Sequence, residues 1–179
     1  MKPHRVFFTG DPGCGKTTTL KNTIRLLTNR GISVGGMLSG EIRDRGVRVG
    51  FSLEDILTHA TGTLAHVNQD AGPRIGRYRV NLEDLEKIGV TAIERAISET
   101  GVNVIAVDEL GPMELNSNSF VRAVQEALVA PKHFLGTIHK RAADSLVIEI
   151  KSNPTFQIVE VTPKSRDAIP AEVVEKILS

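Results

Sequence analysis

The stretch Gly10-Asp11-Pro12-Gly13-Cys14-Gly15-Lys16-Thr17 fills every fixed position of the pattern G-x-x-x-x-G-K-[ST]. The mainly apolar residues 6–9 precede it, and residues 17–29 follow it with apolar side chains at helical spacing. A strand, a loop and a helix in this order are the context that a phosphate-binding loop requires. Glycines let backbone N–H groups converge on an anion, and the helix N-terminus adds the positive end of its dipole. The stretch therefore predicts an α/β core that binds nucleotides.

Three side chains at the end of this stretch have distinct expected roles. Lys16 should reach the β- and γ-phosphates, and Thr17 should place its hydroxyl on Mg²⁺. Thr18 should lie near the α-phosphate. The predicted nucleotide-binding residues are Gly10, Asp11, Pro12, Gly13, Cys14, Gly15, Lys16, Thr17 and Thr18.

A second motif, Asp108-Glu109, follows the β-branched run 102–107. A continuous apolar run is typical of a central parallel strand that is buried on both faces. Downstream of a phosphate loop, Asp108 is expected to hold Mg²⁺ directly or through water. Glu109 is expected to orient and deprotonate the water that attacks the γ-phosphate, which makes Lys16 and Glu109 the predicted catalytic pair. The alternative for Asp108-Glu109 is an ordinary polar turn or a helix cap.

Residues 40–80 differ from the rest of the chain. The segment 41–51 alternates polar and apolar residues around Arg45-Gly46, which is typical of a β-hairpin. Short strands are predicted at 64–67 and 77–80, so we interpret 40–80 as an antiparallel elaboration. Its residues Arg43 and Arg48 either contact phosphate or cover the solvent face of the hairpin.

Three further basic residues are candidate contacts to phosphate or base. Lys140 and Arg141 follow a strand predicted over 133–138, and Arg166 lies in the loop after a strand predicted over 156–161. Ligands of open α/β sheets bind just outside the carboxyl ends of the strands, where these loops should lie. A solvated helix start is the alternative for Lys140 and Arg141.

The order of elements predicts the fold. Helices are expected over 17–29, 81–100, 117–129, 142–150 and 170–178, and the remaining strand over 33–39. Together with the two motifs, this order predicts a three-layer P-loop fold with a mainly parallel central sheet flanked by helices. The length of 179 residues fits one domain, 1–179.

Composition narrows the function classes. The formal net charge is +1, from 22 Lys plus Arg against 21 Asp plus Glu, so no broad basic surface indicates a nucleic-acid partner. One cysteine rules out an internal disulfide, and the five histidines show no metal-ligand spacing. No apolar leader or membrane-spanning window is present. We expect a cytoplasmic monomer with no membrane partner.

The chain resembles the small nucleoside-triphosphatase family that extends from archaea and thermophilic bacteria to vertebrates, where it is called cancer-related nucleoside-triphosphatase. The resemblance spans nearly the full length. It implies a RecA-like core and slow, Mg²⁺-dependent hydrolysis of ATP, GTP and other nucleoside triphosphates, with broad base tolerance. It rests on Gly10 to Thr17, Glu41-Ile-Arg43, Arg48-Val-Gly50-Phe51, Gly76-Arg-Tyr78-Arg-Val80 and Asp108-Glu-Leu-Gly111-Pro-Met113-Glu114-Leu115, extended by Gly136-Thr-Ile138 and 162–167.

Two loops depart from the family's pattern. A proline often follows Gly-Thr-Ile in the family, whereas His139-Lys140-Arg141 stands here, and Ser165 replaces the usual asparagine before Arg166-Asp167. The nucleotide preference is therefore not carried over.

Three functions are compatible with the motifs. The first is a nucleoside-triphosphatase acting on ATP, GTP, CTP and UTP with Mg²⁺. The second is a small nucleoside or nucleotide kinase, which shares the phosphate loop but needs an acceptor site and a lid that excludes water. The third is a nucleotide-gated regulator or an RNA-associated module in which weak hydrolysis resets a conformational switch.

Overall fold

One nine-stranded sheet organises the structure, a computed structural model that describes residues 2–179. In spatial order the strands are β5-β6-β4-β3-β2-β7-β8-β1-β9. Their bounds are β1 (Arg5–Thr9), β2 (Val34–Asp44), β3 (Val47–Asp55), β4 (Thr61–His66), β5 (Arg74–Ile75), β6 (Tyr78–Val80), β7 (Val104–Leu110), β8 (His133–Ile138) and β9 (Gln157–Glu160).

The sheet has a parallel half and an antiparallel half. Strands β2, β7, β8, β1 and β9 pair in parallel, whereas β2, β3, β4, β6 and β5 pair antiparallel in that order. The predicted fold class, including the antiparallel elaboration at 40–80, is confirmed. Strand β8 lies between β1 and β7, so the carboxyl ends of these three strands meet at one edge.

Helices cover both faces of the parallel half. They are α1 (Lys16–Asn29), α2 (Leu82–Asp84), α3 (Thr91–Ser98), α4 (Asn118–Val129), α5 (Ser145–Ser152) and α6 (Ile169–Leu178). None of the helices within residues 2–179 combines the length and the apolar character needed to cross a membrane.

Alternation along β1 shows how the two cores form. Val6 and Phe8 are buried on one face with residues of α1 and α6, whereas Phe7 is buried on the other face with residues of α3, α4 and α5. Successive side chains of a strand point to opposite faces of the sheet, so one strand contributes to both cores. The result is the predicted three-layer arrangement.

Two predicted elements differ from the structure. The strand predicted over 33–39 and the first half of the hairpin are one strand, β2, which pairs in parallel with β7 from Val34 to Met37 and antiparallel with β3 from Met37 to Asp44. Gly36 makes this possible, because it has a φ of +118° and a Cβ there would lie 2.1 Å from the carbonyl oxygen of Ala106.

The helix predicted over 81–100 is confirmed over residues 82–98, but it is not a regular α-helix throughout. Asn81 does cap the helix start by accepting a hydrogen bond from the backbone N–H of Asp84 at 3.1 Å. Residues Leu85–Val90 then form a π-helical segment between α2 and α3. Gly89 of this segment packs so closely on the sheet that a Cβ would lie 2.6 Å from the sulfur of Met37. The π-helical segment therefore coincides with the place where the helix packs most closely on the sheet, and this packing explains the departure from a regular α-helix.

Candidate active site

The phosphate loop lies at the carboxyl edge of the sheet, between β1 and α1. The backbone N–H of Cys14 donates to the carbonyl of Asp11 at 3.1 Å, and Gly15 takes a left-handed conformation with a φ of 108° immediately before the helix. Cys14 is buried against Gly10 and the core, whereas Thr18 is exposed on the first turn of α1. The loop thus has the turn that aims backbone N–H groups at an anion.

Lys16 is held inside this loop. Its side chain is 9% exposed, and its ammonium donates to the carbonyl oxygen of Gly10 at 3.2 Å. The same ammonium lies 3.9 Å from Oε2 of Glu109. A positive charge therefore stands at the centre of the site, between the loop and the end of β7.

Asp108 is a fully buried carboxylate that accepts hydrogen bonds from three hydroxyl groups. Thr17 donates to it at 3.0 Å and 3.2 Å, Ser39 at 2.8 Å and Thr137 at 2.5 Å. A buried carboxylate needs such partners, because removing its charge from water is otherwise costly. The contact between Thr17 and Asp108 places a hydroxyl and a carboxylate side by side, and these are the oxygen ligands that Mg²⁺ prefers.

Glu109 lies within β7, which runs on to Leu110 instead of ending at residue 107 as predicted. The peptide bond between Asp108 and Glu109 is cis. The Glu109 side chain is 26% exposed, so one side of it remains open to solvent. Burial raises the pKa of Glu109 above its ordinary value; the Lys16 charge lowers it, and the Asp108 charge adds to the rise. A raised pKa suits a carboxylate that accepts a proton from water.

A second glutamate, Glu114, stands behind Glu109. It begins a short 3₁₀ turn, Glu114–Asn116, and is 4% exposed. Burial, reinforced by the charge of Glu109, raises the pKa of Glu114 from 4.5 to about 8. Glu114 is therefore a neutral carboxylic acid at pH 7.

The ionisation of Glu114 predicts a pH dependence of stability. Native Glu114 keeps its proton up to about pH 8, whereas the same side chain ionises near pH 4.5 when the chain unfolds. The native state holds more protons in this window, so its free energy of unfolding should fall as the pH rises from about 4.5 to about 8. The neutral variant Glu114→Gln should show a shallower fall.

Urea unfolding of the wild type and of Glu114→Gln, at several pH values within that window and with a chelator present, measures the effect. Asp108 and Glu109 on β7 are the charged groups that raise the Glu114 pKa. Equal pH slopes for the two proteins would mean that Glu114 is already ionised in the native state.

Two of the basic side chains predicted as phosphate or base contacts lie at the phosphate loop. The ammonium of Lys140 lies 3.2 Å from Oδ1 of Asp11 and 3.3 Å from Oε1 of Glu160. Arg166 crosses Gly15, with its Cδ 3.0 Å from the position that a Cβ on Gly15 would occupy. Both side chains are partly exposed, and both border the loop that would hold phosphate.

The other three predicted contacts lie elsewhere. Arg43 and Arg48 each pair with a different oxygen of Glu41, at 2.6 Å and 3.0 Å, on the exposed end of the β2–β3 hairpin. Arg48 also donates to the hydroxyl of Tyr78 at 3.2 Å. Within residues 2–179, neither arginine hydrogen-bonds to Gly10–Thr18. Arg141 lines a cavity of about 350 Å³ beside Pro112 and Asp144.

Ser39, Thr137 and Glu114 belong to the site, although no role was predicted for them. Ser39 and Thr137 lie near the carboxyl ends of the parallel pairing of β2 and of β8, the edge where ligand-binding residues of such sheets gather. Had this rule been applied to every predicted parallel strand, it would have identified Ser39 and Thr137 as candidate site residues. The burial of Glu114 depends on tertiary packing and has no local signal.

Comparisons of the whole chain with known proteins agree on one family. A family model described as NTPase matches residues 5–174. The nucleoside-triphosphatase THEP1 of Thermofilum pendens is 44% identical over 180 residues, which cover 100% of this chain and 98% of that protein. The protein of the same name from Methanosarcina acetivorans is 39% identical over 175 residues, which cover 97% of each chain.

Solved structures extend this similarity to the fold. The crystal structure of THEP1 from the hyperthermophile Aquifex aeolicus matches with a TM-score of 0.85 at 27% identity and covers 98% of this chain and 99% of that one. The solution structure of a human cancer-related nucleoside triphosphatase matches with a TM-score of 0.82 at 32% identity, covering 97% of each chain. With a family model over 5–174 and relatives of this identity along their full length, the chain belongs to the THEP1 nucleoside-triphosphatase family.

Proposed function

We propose that this protein hydrolyses nucleoside 5′-triphosphates to the diphosphate and phosphate, with Mg²⁺, slowly and with broad base tolerance. The observation that carries the proposal is the position of Glu109, whose carboxylate lies 3.9 Å from the ammonium of Lys16 in the phosphate loop. A carboxylate beside the lysine that binds the γ-phosphate is within reach of a water molecule in line with that phosphate. The names of the full-length relatives support the same reaction.

Each residue of the site has a part in this reaction. Lys16 and the loop N–H groups bind the phosphates and neutralise charge that develops as the phosphoryl group is transferred. Glu109 orients the attacking water and accepts its proton. Lys140 and Arg166, which border the loop, add positive charge near the phosphates.

Thr17 and Asp108 would hold the magnesium ion. Their side chains are already in contact, and Ser39 and Thr137 fix the position of the carboxylate through their hydroxyls. Mg²⁺ takes few protein ligands and relies on phosphate oxygens and water for the rest, so one hydroxyl and one carboxylate suffice. The ion, when bound, would neutralise negative charge on the phosphates.

Broad base tolerance is supported by the loop after β9. Its residues Thr162 and Ser165 bond each other through their hydroxyls at 3.0 Å, and most of the loop is exposed. Hydroxyl groups that bond each other offer little to distinguish one base from another.

A slow rate is supported by the positions of Arg43 and Arg48. Both pair with Glu41 on the hairpin and not with the phosphate loop, whereas an arginine placed on the γ-phosphate accelerates hydrolysis by orders of magnitude.

Phosphate release tests the proposal. We expect the purified protein to release phosphate from ATP, GTP, CTP and UTP at similar rates when Mg²⁺ is present and no acceptor is added. A chelator should abolish release, because the charge between the β- and γ-phosphates is then not neutralised. Tight nucleotide binding without release would contradict hydrolysis and favour the kinase or switch functions.

A further inference from the structure

Glu114 is a buried acid that no step of the proposed hydrolysis uses. Its side chain is 4% exposed in the turn after β7, and the carboxylates of Glu109 and Asp108 are close enough to affect it. A buried carboxyl group that serves only packing is disfavoured, because an apolar side chain of the same size would be less costly to bury. Packing alone therefore does not explain why a carboxyl group is buried at position 114.

Both glutamate side chains lie close to Gly111. A Cβ on Gly111 would lie 3.0 Å from Oε1 of Glu109 and 3.2 Å from Oε2 of Glu114. The two carboxyl oxygens thus border the same small space, which the absence of a side chain on Gly111 leaves open. The other oxygen of Glu109, Oε2, faces the ammonium of Lys16.

Glu109 is therefore flanked by two different groups. Lys16 attracts Oε2, but this contact must weaken when the lysine turns to a triphosphate, since the phosphates carry more negative charge. The Oε1 side is unaffected by the nucleotide, because Glu114 is buried. Two neighbouring carboxyl groups are stable when they share a single proton, which allows one group to hold the other in place.

We propose that Glu114 is a positioning residue for Glu109: a buried acid that borders the Oε1 side of the Glu109 carboxylate and holds it in place while Oε2 turns to the attacking water. This inference rests on the proposed function, because its readout is triphosphate hydrolysis. Glu114 itself touches neither nucleotide nor water in this scheme. Its effect should therefore appear in kcat and leave KM unchanged.

Two variants of nearly equal shape separate positioning from packing. Glu114→Gln keeps a neutral group with hydrogen-bond donors, whereas Glu114→Met keeps the length of the side chain and removes every polar atom. We expect Glu114→Met to lower kcat by about 10-fold to 100-fold, the scale of a misplaced catalytic group. Its melting temperature should equal or exceed that of the wild type, and Glu114→Gln should recover most of kcat.

Gly111→Ala tests the same arrangement without changing either acid. The added methyl group would enter the space between the two carboxyl groups, and the backbone of Gly111 does not have the positive φ that makes other glycines irreplaceable. We expect a fall in kcat similar to that of Glu114→Met. Combining Glu114→Met with Glu109→Gln should cost no more than Glu109→Gln alone, because Glu114 acts through Glu109.

The outcomes distinguish this inference from the proposed function. Wild-type kcat in a folded Glu114→Met would overturn the positioning role, even if Glu109→Gln is inactive. Equal losses in the Met and Gln variants would also overturn it, because a neutral donor would then not suffice. If the wild type releases no phosphate from any triphosphate, the proposed function itself is wrong.

Asp55→Asn, which alters a buried carboxylate paired with Arg95, is the matched control and should affect melting temperature but not kcat.

Discussion

Glu109→Gln is expected to lower the rate of triphosphate hydrolysis by about 10²-fold or more, the effect of losing a general base. The amide has nearly the shape of the carboxylate but cannot accept the proton of the attacking water. Nucleotide affinity should stay close to that of the wild type, because Lys16 and the loop N–H groups, and not Glu109, are the groups proposed to bind the phosphates. Single-turnover hydrolysis and equilibrium binding of the same triphosphate measure the two effects separately.

The structure adds a reason to expect unchanged or tighter binding. The Glu109 carboxylate lies 3.9 Å from the ammonium of Lys16, so its negative charge also stands near any bound γ-phosphate. Removing that charge relieves repulsion between two anions. Glu126→Gln, an exposed position on α4, is the matched control and should keep both rate and affinity. Wild-type hydrolysis by Glu109→Gln would show that another group positions the water.

The phosphate loop and the parallel core were predictable because their signals are local. The glycines of the loop, the apolar run before it and the helical spacing after it lie within residues 6–29. The strand predicted at 102–107 has the β-branched composition of a buried parallel strand, and its residues 104–107 form the first half of β7. In each case the residues that decide the structure are neighbours in the sequence.

The parts that were missed depend on contacts between distant residues. Strand β7 runs past residue 107, because Leu110 pairs with Ile138 of β8 beyond an irregularity in the ladder. The three hydroxyls on Asp108 come from α1, β2 and β8, which no single stretch of sequence brings together. Glutamate is a residue type that is usually exposed, and Glu114 is buried only because the turn after β7 folds back on the core.

The arginines of the hairpin show that the sequence position of a charged residue does not by itself reveal whether it binds a ligand or faces solvent. Arg43 and Arg48 lie on a polar, alternating segment, which fits either a phosphate site or a solvated face. The structure pairs both with Glu41, and Arg48 also stacks on Phe51 at 5.0 Å from the ring centroid. An acid two residues from an arginine on the same strand face was visible in the sequence and favours the solvated alternative.

Lys16→Ala is expected to weaken triphosphate binding by about 10-fold to 100-fold, which corresponds to the ~1.5–3 kcal/mol of a hydrogen bond to a charged group. Lys16 is 9% exposed and its ammonium is held at 3.2 Å from the carbonyl of Gly10, so the charge is fixed inside the loop before the nucleotide arrives. A fixed charge loses little conformational entropy on binding, which makes its removal more costly than that of a mobile surface lysine.

Calorimetric titration with a slowly hydrolysed triphosphate analogue measures this loss, and Lys21→Ala provides the control on the exposed side of the same helix. The loss should be larger for a triphosphate than for the corresponding diphosphate, because Lys16 faces Glu109, where the γ-phosphate would lie. Equal losses for the two nucleotides would instead place Lys16 on the β-phosphate alone.

Lys16→Ala should also raise the pKa of Glu109 further, since the ammonium is the group that opposes the effect of burial on that carboxyl. Hydrolysis by Lys16→Ala at saturating nucleotide should therefore remain below that of the wild type, because the variant loses both a phosphate ligand and the charge that keeps Glu109 ionised.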